Sequence, residues 1–174
     1  MKVKPRSNYN KEAGATQPSR AFGARTYLFA LAAVVVVGFL LRVNQLTADP
    51  PTSLSWSLAP YTDEGAHVIN AKNKVLFGRW LMDEWFRMGV SPLFTVMMYA
   101  VFKVFGLGYS SARSVSVVAA VGVILFVFFL LRRSASEKAA LFGAILAATS
   151  YLWIMQNRMA TEETTLVLFI LLAI

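Results

Sequence analysis

Three stretches of this chain, Tyr27–Leu41, Val115–Leu131 and Ala139–Met155, contain no charged residue and, with their flanks, are long enough to cross a bilayer as helices. A hydrocarbon core of about 30 Å needs roughly 20 apolar residues at a rise of about 1.5 Å each. Inside lipid every backbone N–H and C=O needs an internal partner, so such runs fold as helices. Hydrophobic residues make up 57% of the 174 positions and the mean hydropathy is +0.56, which excludes an ordinary soluble domain. A fourth apolar run, Thr164–Ile174, reaches only about 16 Å as a helix. The expected architecture is an all-α polytopic membrane protein with three full transmembrane helices, a partial fourth, and interfacial helices in the first outer loop. Because the last run stops part-way across, the chain reads as the N-terminal part of a longer protein, expected to insert alone without turning over. A natural short product completed by a partner is the alternative.

Residues 1–25 carry Lys2, Lys4, Arg6, Lys11, Arg20 and Arg25 against Glu12, among small polar residues. That composition predicts a disordered basic cytoplasmic tail. Directly before an apolar span, its charge fits an orientation signal and contact with anionic membrane lipids better than a nucleic-acid partner. The basic stretch is long for a signal peptide and no clear small-residue cleavage site follows Leu46. The first helix is therefore read as uncleaved, with Arg42 able to snorkel at its outer end. The chain has no cysteine and one histidine. Disulfides, thiolate metal sites and a cysteine nucleophile are excluded.

The segment from about 44 to 112 is too patterned for a simple loop. Asp49-Pro50-Pro51 and Ser53–Ser57 are turn-like. Glu64–Phe77 then alternates Val68, Ala71 and Val75 with Asn70, Asn73 and Lys74 at helical spacing, and Gly78 ends it. This predicts a helix lying in the interface, with Trp80, Trp85 and Phe86 as headgroup-level anchors. Pro92–Phe105 is apolar but reaches only about 21 Å as a helix, so it too is placed in the interface. Lys103 lies near its end and Gly106-Leu107-Gly108 stops it. Val115–Leu131 then runs inward and leaves Arg132, Arg133 and Lys138 in a cytoplasmic turn, in agreement with the positive-inside rule. Ala139–Met155 returns outward, and Ala139, Gly143 and Ala147 form a small-residue stripe for close helix approach. The two acidic pairs, Asp63-Glu64 and Glu162-Glu163, are thereby brought to the same outer face. Carboxylates beside hydrocarbon are costly unless they face a cavity or water, so they are either a functional site or solvated loop ends.

The order of these features carries a family resemblance. After the first span come Tyr61-Thr62-Asp63-Glu64-Gly65, Gly78, Ser91-Pro92-Leu93-Phe94, Lys103-Val104-Phe105-Gly106 and Ala112-Arg113. The second outer loop holds Arg158-Met159-Ala160-Thr161-Glu162-Glu163. This pattern resembles the start of the GT-C glycosyltransferases, of the branch that contains protein O-mannosyltransferases and the lipid A aminoarabinose transferase. The likeness covers nearly all of residues 26–174. Two departures concern substrate choice: Ser91 stands where the first residue of a Pro-Pro pair is usual, and His67 where an aromatic is common.

The resemblance implies transfer of a sugar from a polyprenyl-phosphate carrier to an acceptor hydroxyl of a protein, lipid or glycan at the outer face of the plasma membrane, with inversion. Asp63 is the expected base, because an acceptor hydroxyl needs a positioned carboxylate; as a helix N-cap it would compete for the same oxygens. The same resemblance marks Glu163 as the second site carboxylate, which would orient the acceptor, help bind a cation or simply begin the last helix, with Glu162 as the more solvent-facing of that pair. Glu64, His67 and Arg158 are expected to bind substrate. For each there is a simpler role: Glu64 at a helix N-terminus, Arg158 at a helix C-terminus, and His67 as an interfacial side chain. Arg158 is also a candidate partner for Glu163. His67 lies one turn after Asp63, so a hard divalent cation shared between them is the alternative to having no cofactor. Asp83-Glu84 is read as a solvated turn, and Lys72, Lys74, Arg79 and Arg87 as contacts for anionic headgroups. The competing class is a transporter or structural subunit, in which carboxylates should sit within the spans; here they cluster at span ends.

The topology is tested with single cysteines in this cysteine-free chain. Cysteines introduced beside Asp63, Gly108 and Glu162 should react with an impermeant maleimide from outside, and one beside Ser134 only from inside. Reaction at Gly108 from the cytoplasm would separate the two acidic pairs and overturn the assignment.

Overall fold

The computed structural model describes residues 24–48, 64–80 and 87–174; the basic tail, Asp63, Asp83-Glu84, Trp85 and Phe86 lie outside them. Among the described residues the chain forms eight helices: α1 (Ala24–Val43), α2 (Glu64–Phe77), α3 (Arg87–Val90), α4 (Pro92–Phe105), α5 (Tyr109–Ser134), α6 (Glu137–Thr149), α7 (Tyr151–Asn157) and α8 (Glu163–Leu172). α1 and α5 are each long and apolar enough to cross a membrane, and α6 with α7 make a third, bent span. α5 is the central helix, packed on α1, α6, α8 and α4. Along α1, Leu28, Phe29, Val36, Val37, Phe39 and Leu40 remain uncovered by protein. Apolar surface on that scale belongs in lipid, and the chain is an integral membrane protein.

α6 lies between two neighbours, which shifts its packing pattern by one residue from the expected stripe. Ala140, Ala144 and Ala148 are buried with Leu31, Ile124 and Phe128. Gly143 faces α5, where a side chain would run into Leu131. Gly38 of α1 is equally constrained: a Cβ there would stand 2.8 Å from Ile124 Cδ1 and 3.2 Å from Ala148 Cβ. With small residues on two faces, one helix can approach both α1 and α5 closely.

The continuous helix expected over Ala139–Met155 is instead bent by 59° at Ser150, whose backbone leaves the helical region (φ −59°, ψ 120°). The bend frees the carbonyls of Ala147 and Ala148 from their intrahelical partners. Arg42 satisfies them: its guanidinium donates to Ala148 O at 2.9 Å, Ala147 O at 3.0 Å and Gly38 O at 2.9 Å, and the residue is fully buried. It does not snorkel, because the broken helix beside it offers better acceptors than the headgroups do.

At the end of the bundle where α1 finishes and α5 begins, α2, α3 and α4 form a layer. Phe94, Met98 and Phe102 of α4 pack with Ala71 of α2 and with Ala112 and Val115 of α5. Leu93, Val96, Val104 and Phe105 stay exposed on the other face of α4. That two-sided apolarity suits a short helix wedged between protein and lipid. Gly78 (φ 71°) and Gly106 (φ 82°) end α2 and α4 in the left-handed region, as their sequence positions predict. Trp80 packs edge-on against Tyr99 with centroids 5.5 Å apart, and Lys74 Nζ lies 5.7 Å above its ring. α2 differs from expectation in its orientation. Its polar residues His67 and Asn70 are buried, and Asn70 Oδ1 accepts the Met88 N–H at 3.1 Å, so part of the polar face is spent on protein. α5 starts at Tyr109 rather than near Val115, which carries Ala112-Arg113 into its first turns.

The role of Arg42 is open to test. Arg42→Leu should lower stability in detergent by about 2–4 kcal/mol, since each buried acceptor left without a donor costs about 1–3 kcal/mol. Arg42→Lys should recover part of the loss. The measurement is denaturant unfolding followed by tryptophan fluorescence; equal stability of Arg42→Leu and the parent would show that the bend does not rely on this side chain.

Candidate functional site

Glu64 opens α2, and its carboxylate is buried against Arg113 of α5. Arg113 Nε donates to Glu64 Oε1 at 2.8 Å and Nη2 to Oε2 at 2.7 Å, a two-pronged arrangement that fixes both planes. Both side chains are almost wholly shielded, with relative exposures of 1% for Arg113 and 5% for Glu64. The remaining donors and acceptors are used as well. Glu64 Oε1 also accepts the backbone N–H of Ala160 at 2.6 Å, and Arg113 Nη1 donates to Leu46 O at 2.5 Å. One ion pair therefore holds the end of α1, the starts of α2 and α5, and the loop between α7 and α8. Glu64 is in this way a structural anchor, a stronger version of its helix-start role.

One turn along α2, His67 meets the second acidic pair. Its Nδ1 donates to Glu162 Oε2, and Arg87 Nη1 donates to Glu162 Oε1 at 3.3 Å. A carboxylate only accepts, so this contact places the imidazole proton on Nδ1. Glu162 is thus the inward-facing member of its pair, and Glu163 at the start of α8 is exposed, the reverse of the sequence expectation. The reason is register: Glu162 precedes α8 and lies beside α2, whereas Glu163 begins the helix and points away from that contact. Among the described residues Glu163 makes no ion pair, and Arg158 is directed elsewhere. Its Nη1 donates to Leu41 O, Arg42 O and Asn44 O at 2.7–3.2 Å, and Nη2 to Gln45 O at 2.9 Å. Those are carbonyls at the end of α1, so the cation serves a helix C-terminus, though not that of its own helix.

The loop 158–162 is fixed from below too. Ser116 Oγ donates to Thr161 O at 3.2 Å and Thr164 Oγ1 to Asn157 Oδ1 at 2.9 Å. The result is a rigid platform on which residues 64–67 and 160–163 are neighbours although nearly a hundred positions separate them. Asp63 immediately precedes Glu64 in the chain but lies outside the described residues. Among the described residues no group of three His, Asp or Glu side chains is assembled for a metal ion. Arg87 already supplies a positive partner to Glu162.

Sequence reasoning missed two partners. Arg113 belonged to a recognised motif but was given no role, since nothing local links it to Glu64. Arg87, from sequence a headgroup contact, is instead a partner of Glu162. Spacing held one usable signal: Glu64, His67, Asn70 and Ala71 follow one another at intervals of three to four, a single helical face, and this is the face that is buried.

Residues 89–174 match the family model described as dolichyl-phosphate-mannose-protein mannosyltransferase. No curated protein and no solved structure gives a comparable match.

The anchoring pair is expected to be worth more intact than halved. Arg113→Met should destabilise the protein by about 3–5 kcal/mol by leaving a buried charge uncompensated. Combining it with Glu64→Gln should restore a large part, and a double-mutant cycle on unfolding midpoints measures the coupling. Additive losses would show that the two residues do not act as a pair.

Proposed function

We propose that this chain is a GT-C glycosyltransferase that moves a sugar from a polyprenyl-phosphate carrier to an acceptor hydroxyl at the outer membrane face, a reading supported by the family match over residues 89–174. In this reading the N-terminus is cytoplasmic, the membrane is the plasma membrane, and nucleic acid is not a partner. The observation that carries the proposal is the junction of the two acidic segments. Glu64 accepts from Ala160, and His67 meets Glu162. The residues flanking Asp63 and Glu163 thus share one polar face in an otherwise apolar chain.

Each residue has a chemical task. Asp63 takes the proton of the acceptor hydroxyl, which raises its nucleophilicity as the bond to the carrier phosphate breaks. The transition state resembles an oxocarbenium ion, whose positive charge at the anomeric carbon a second carboxylate would stabilise; Glu163, exposed at the start of α8, is our candidate for that role. Glu64 and His67 act on substrate through position, by holding the α2 start against the second loop. Arg158 orders the loop that carries Glu163. The departing phosphate is anionic, and the cations of this face, Arg87 and Lys72 among them, are suited to receive it.

A transporter would need carboxylates along its spans. Glu64, Glu137, Glu162 and Glu163 all stand at helix starts, which favours chemistry at the membrane surface.

Asp63→Asn tests the reading. Asparagine caps a helix about as well as aspartate, so folding and donor binding should survive. Transfer should fall by about 10² or more, the usual scale for removing a general base. Glu64→Gln should slow transfer less and lower stability more. The assay uses the complete protein, purified, and a radiolabelled polyprenyl-phosphate sugar, with donor retention and product scored separately. Normal product formation by Asp63→Asn would remove this residue from catalysis.

A further inference from the structure

α7 and α8 meet at the loop 158–162 and leave a cleft of about 430 Å³ between them. That size falls within the usual range of ligand sites. Its inner wall carries the hydrogen bond from Thr164 Oγ1 to Asn157 Oδ1 at 2.9 Å, which ties the two helices together, and both residues are buried. Flanking this link are the preceding residues, Gln156 on α7 and Glu163 on α8; both line the cleft and both are exposed. One turn further from the loop, Trp153 of α7 and Val167 of α8 line the same cleft. Trp153 is 37% exposed, so part of its indole is open. A carboxamide and a carboxylate thus stand at the loop end of the cleft, with an aromatic ring one turn deeper.

The chemistry of the lining narrows the occupant. An anion is disfavoured, because among the described residues no Lys, Arg or His lines the cleft and Glu163 would repel it. A metal ion is short of ligands, since Glu163 is the one carboxylate among the described lining residues. An aliphatic tail would strip water from Gln156 and Glu163 without replacing their hydrogen bonds. A sugar ring suits all three groups. Its hydroxyls can donate to the carboxylate, which only accepts, and can exchange hydrogen bonds with the carboxamide, which does both. Its C–H face is apolar while its rim is wet, and an indole serves such two-sided contacts.

We propose that the cleft between α7 and α8 is the subsite for the donor's sugar, and that this sugar is a pyranose bearing no acid group. The inference rests on the transferase reading above and adds where the ring sits. Its hydroxyls meet Glu163 and Gln156, and one of its faces lies on Trp153. The link between Thr164 and Asn157 holds the two walls at a fixed separation, so the polar pair is in place before the sugar arrives. The candidate role of Glu163 toward positive charge at the anomeric carbon then follows from its contact with the same ring.

The test uses the complete protein in nanodiscs and three ligands: a polyprenyl-phosphate hexose, the matching uronosyl carrier, and polyprenyl phosphate without a sugar. The hexosyl carrier should bind more tightly than the bare one, and the uronosyl carrier about tenfold more weakly than the hexosyl one. Gln156→Ala and Glu163→Ala should each weaken the hexosyl carrier about tenfold, the scale of one lost hydrogen bond, and leave the bare carrier unchanged. Neither should harm folding, because both side chains are exposed and Glu163 makes no ion pair among the described residues. Glu163→Gln should remove the discrimination against the uronosyl carrier, a change that a merely structural role would not produce. A diazirine on the hexose should label residues 153–157 and 163–167. Labelling elsewhere, equal binding of the hexosyl and uronosyl carriers, or equal losses for the bare carrier would overturn the inference. If the hexose is still transferred to an acceptor in that case, the transferase reading stands without this subsite. Hexose labelling in the cleft with no transfer to any hydroxyl acceptor would overturn the transferase reading itself, and the donor role with it.

Discussion

The Glu64–Arg113 ion pair is the constraint on which the rest of the arrangement depends. Two charges removed from water at the edge of a membrane bundle are tolerated only if their hydrogen-bonding capacity is nearly filled. Here it is: the carboxylate receives two guanidinium N–H groups and the Ala160 N–H, and the guanidinium also serves Leu46 O. The partners come from four separate segments, so the pair sets their mutual positions in one step. With the start of α2 held this way, the helical period alone carries His67 to Glu162 one turn later.

Two further arginines act in a related manner on backbone rather than on carboxylate. Arg42 supplies the carbonyls released by the bend at Ser150, and Arg158 supplies those at the end of α1, where Gln45 turns the chain with φ 48°. A planar guanidinium with several donors suits this task better than an ammonium would. Both depart from the simple expectation that arginines near span ends reach for headgroups. Lipid supplies no donors for exposed carbonyls, so an irregular backbone there must be covered from within the protein.

The parts of the fold that were legible in the sequence are those governed by local period and punctuation. The limits of α2 and α4 follow from Gly78, Pro92 and Gly106, and the three spans from charge-free runs. The bend at Ser150 was not legible, because Ala139–Met155 contains neither proline nor charge and the carbonyls it frees are covered by a side chain more than a hundred residues away, Arg42. In the site, the nearness of the two acidic segments could be argued from topology. Which carboxylate of the second pair turns inward could not, since Glu162 and Glu163 differ only in register at a helix start. Arg113 stayed without a role for a similar reason: its ion pair links α2 to α5 and leaves no trace in spacing.

The placement of charge at this end of the bundle also bears on the chemistry. The N-termini of α2, α5 and α8 converge there, and each brings unsatisfied N–H groups and a partial positive charge. Glu64 and Glu163 stand at two of those starts. The C-terminus of α1 reaches the same end and would oppose this field, but Arg158 covers its carbonyls. The balance is a positive local field of the kind that suits an anion. The proposed transfer from a phosphate carrier would release such an anion at this end. An ion-conducting path would have no use for three helix N-termini gathered at one surface with the interior of the spans free of carboxylates among the described residues.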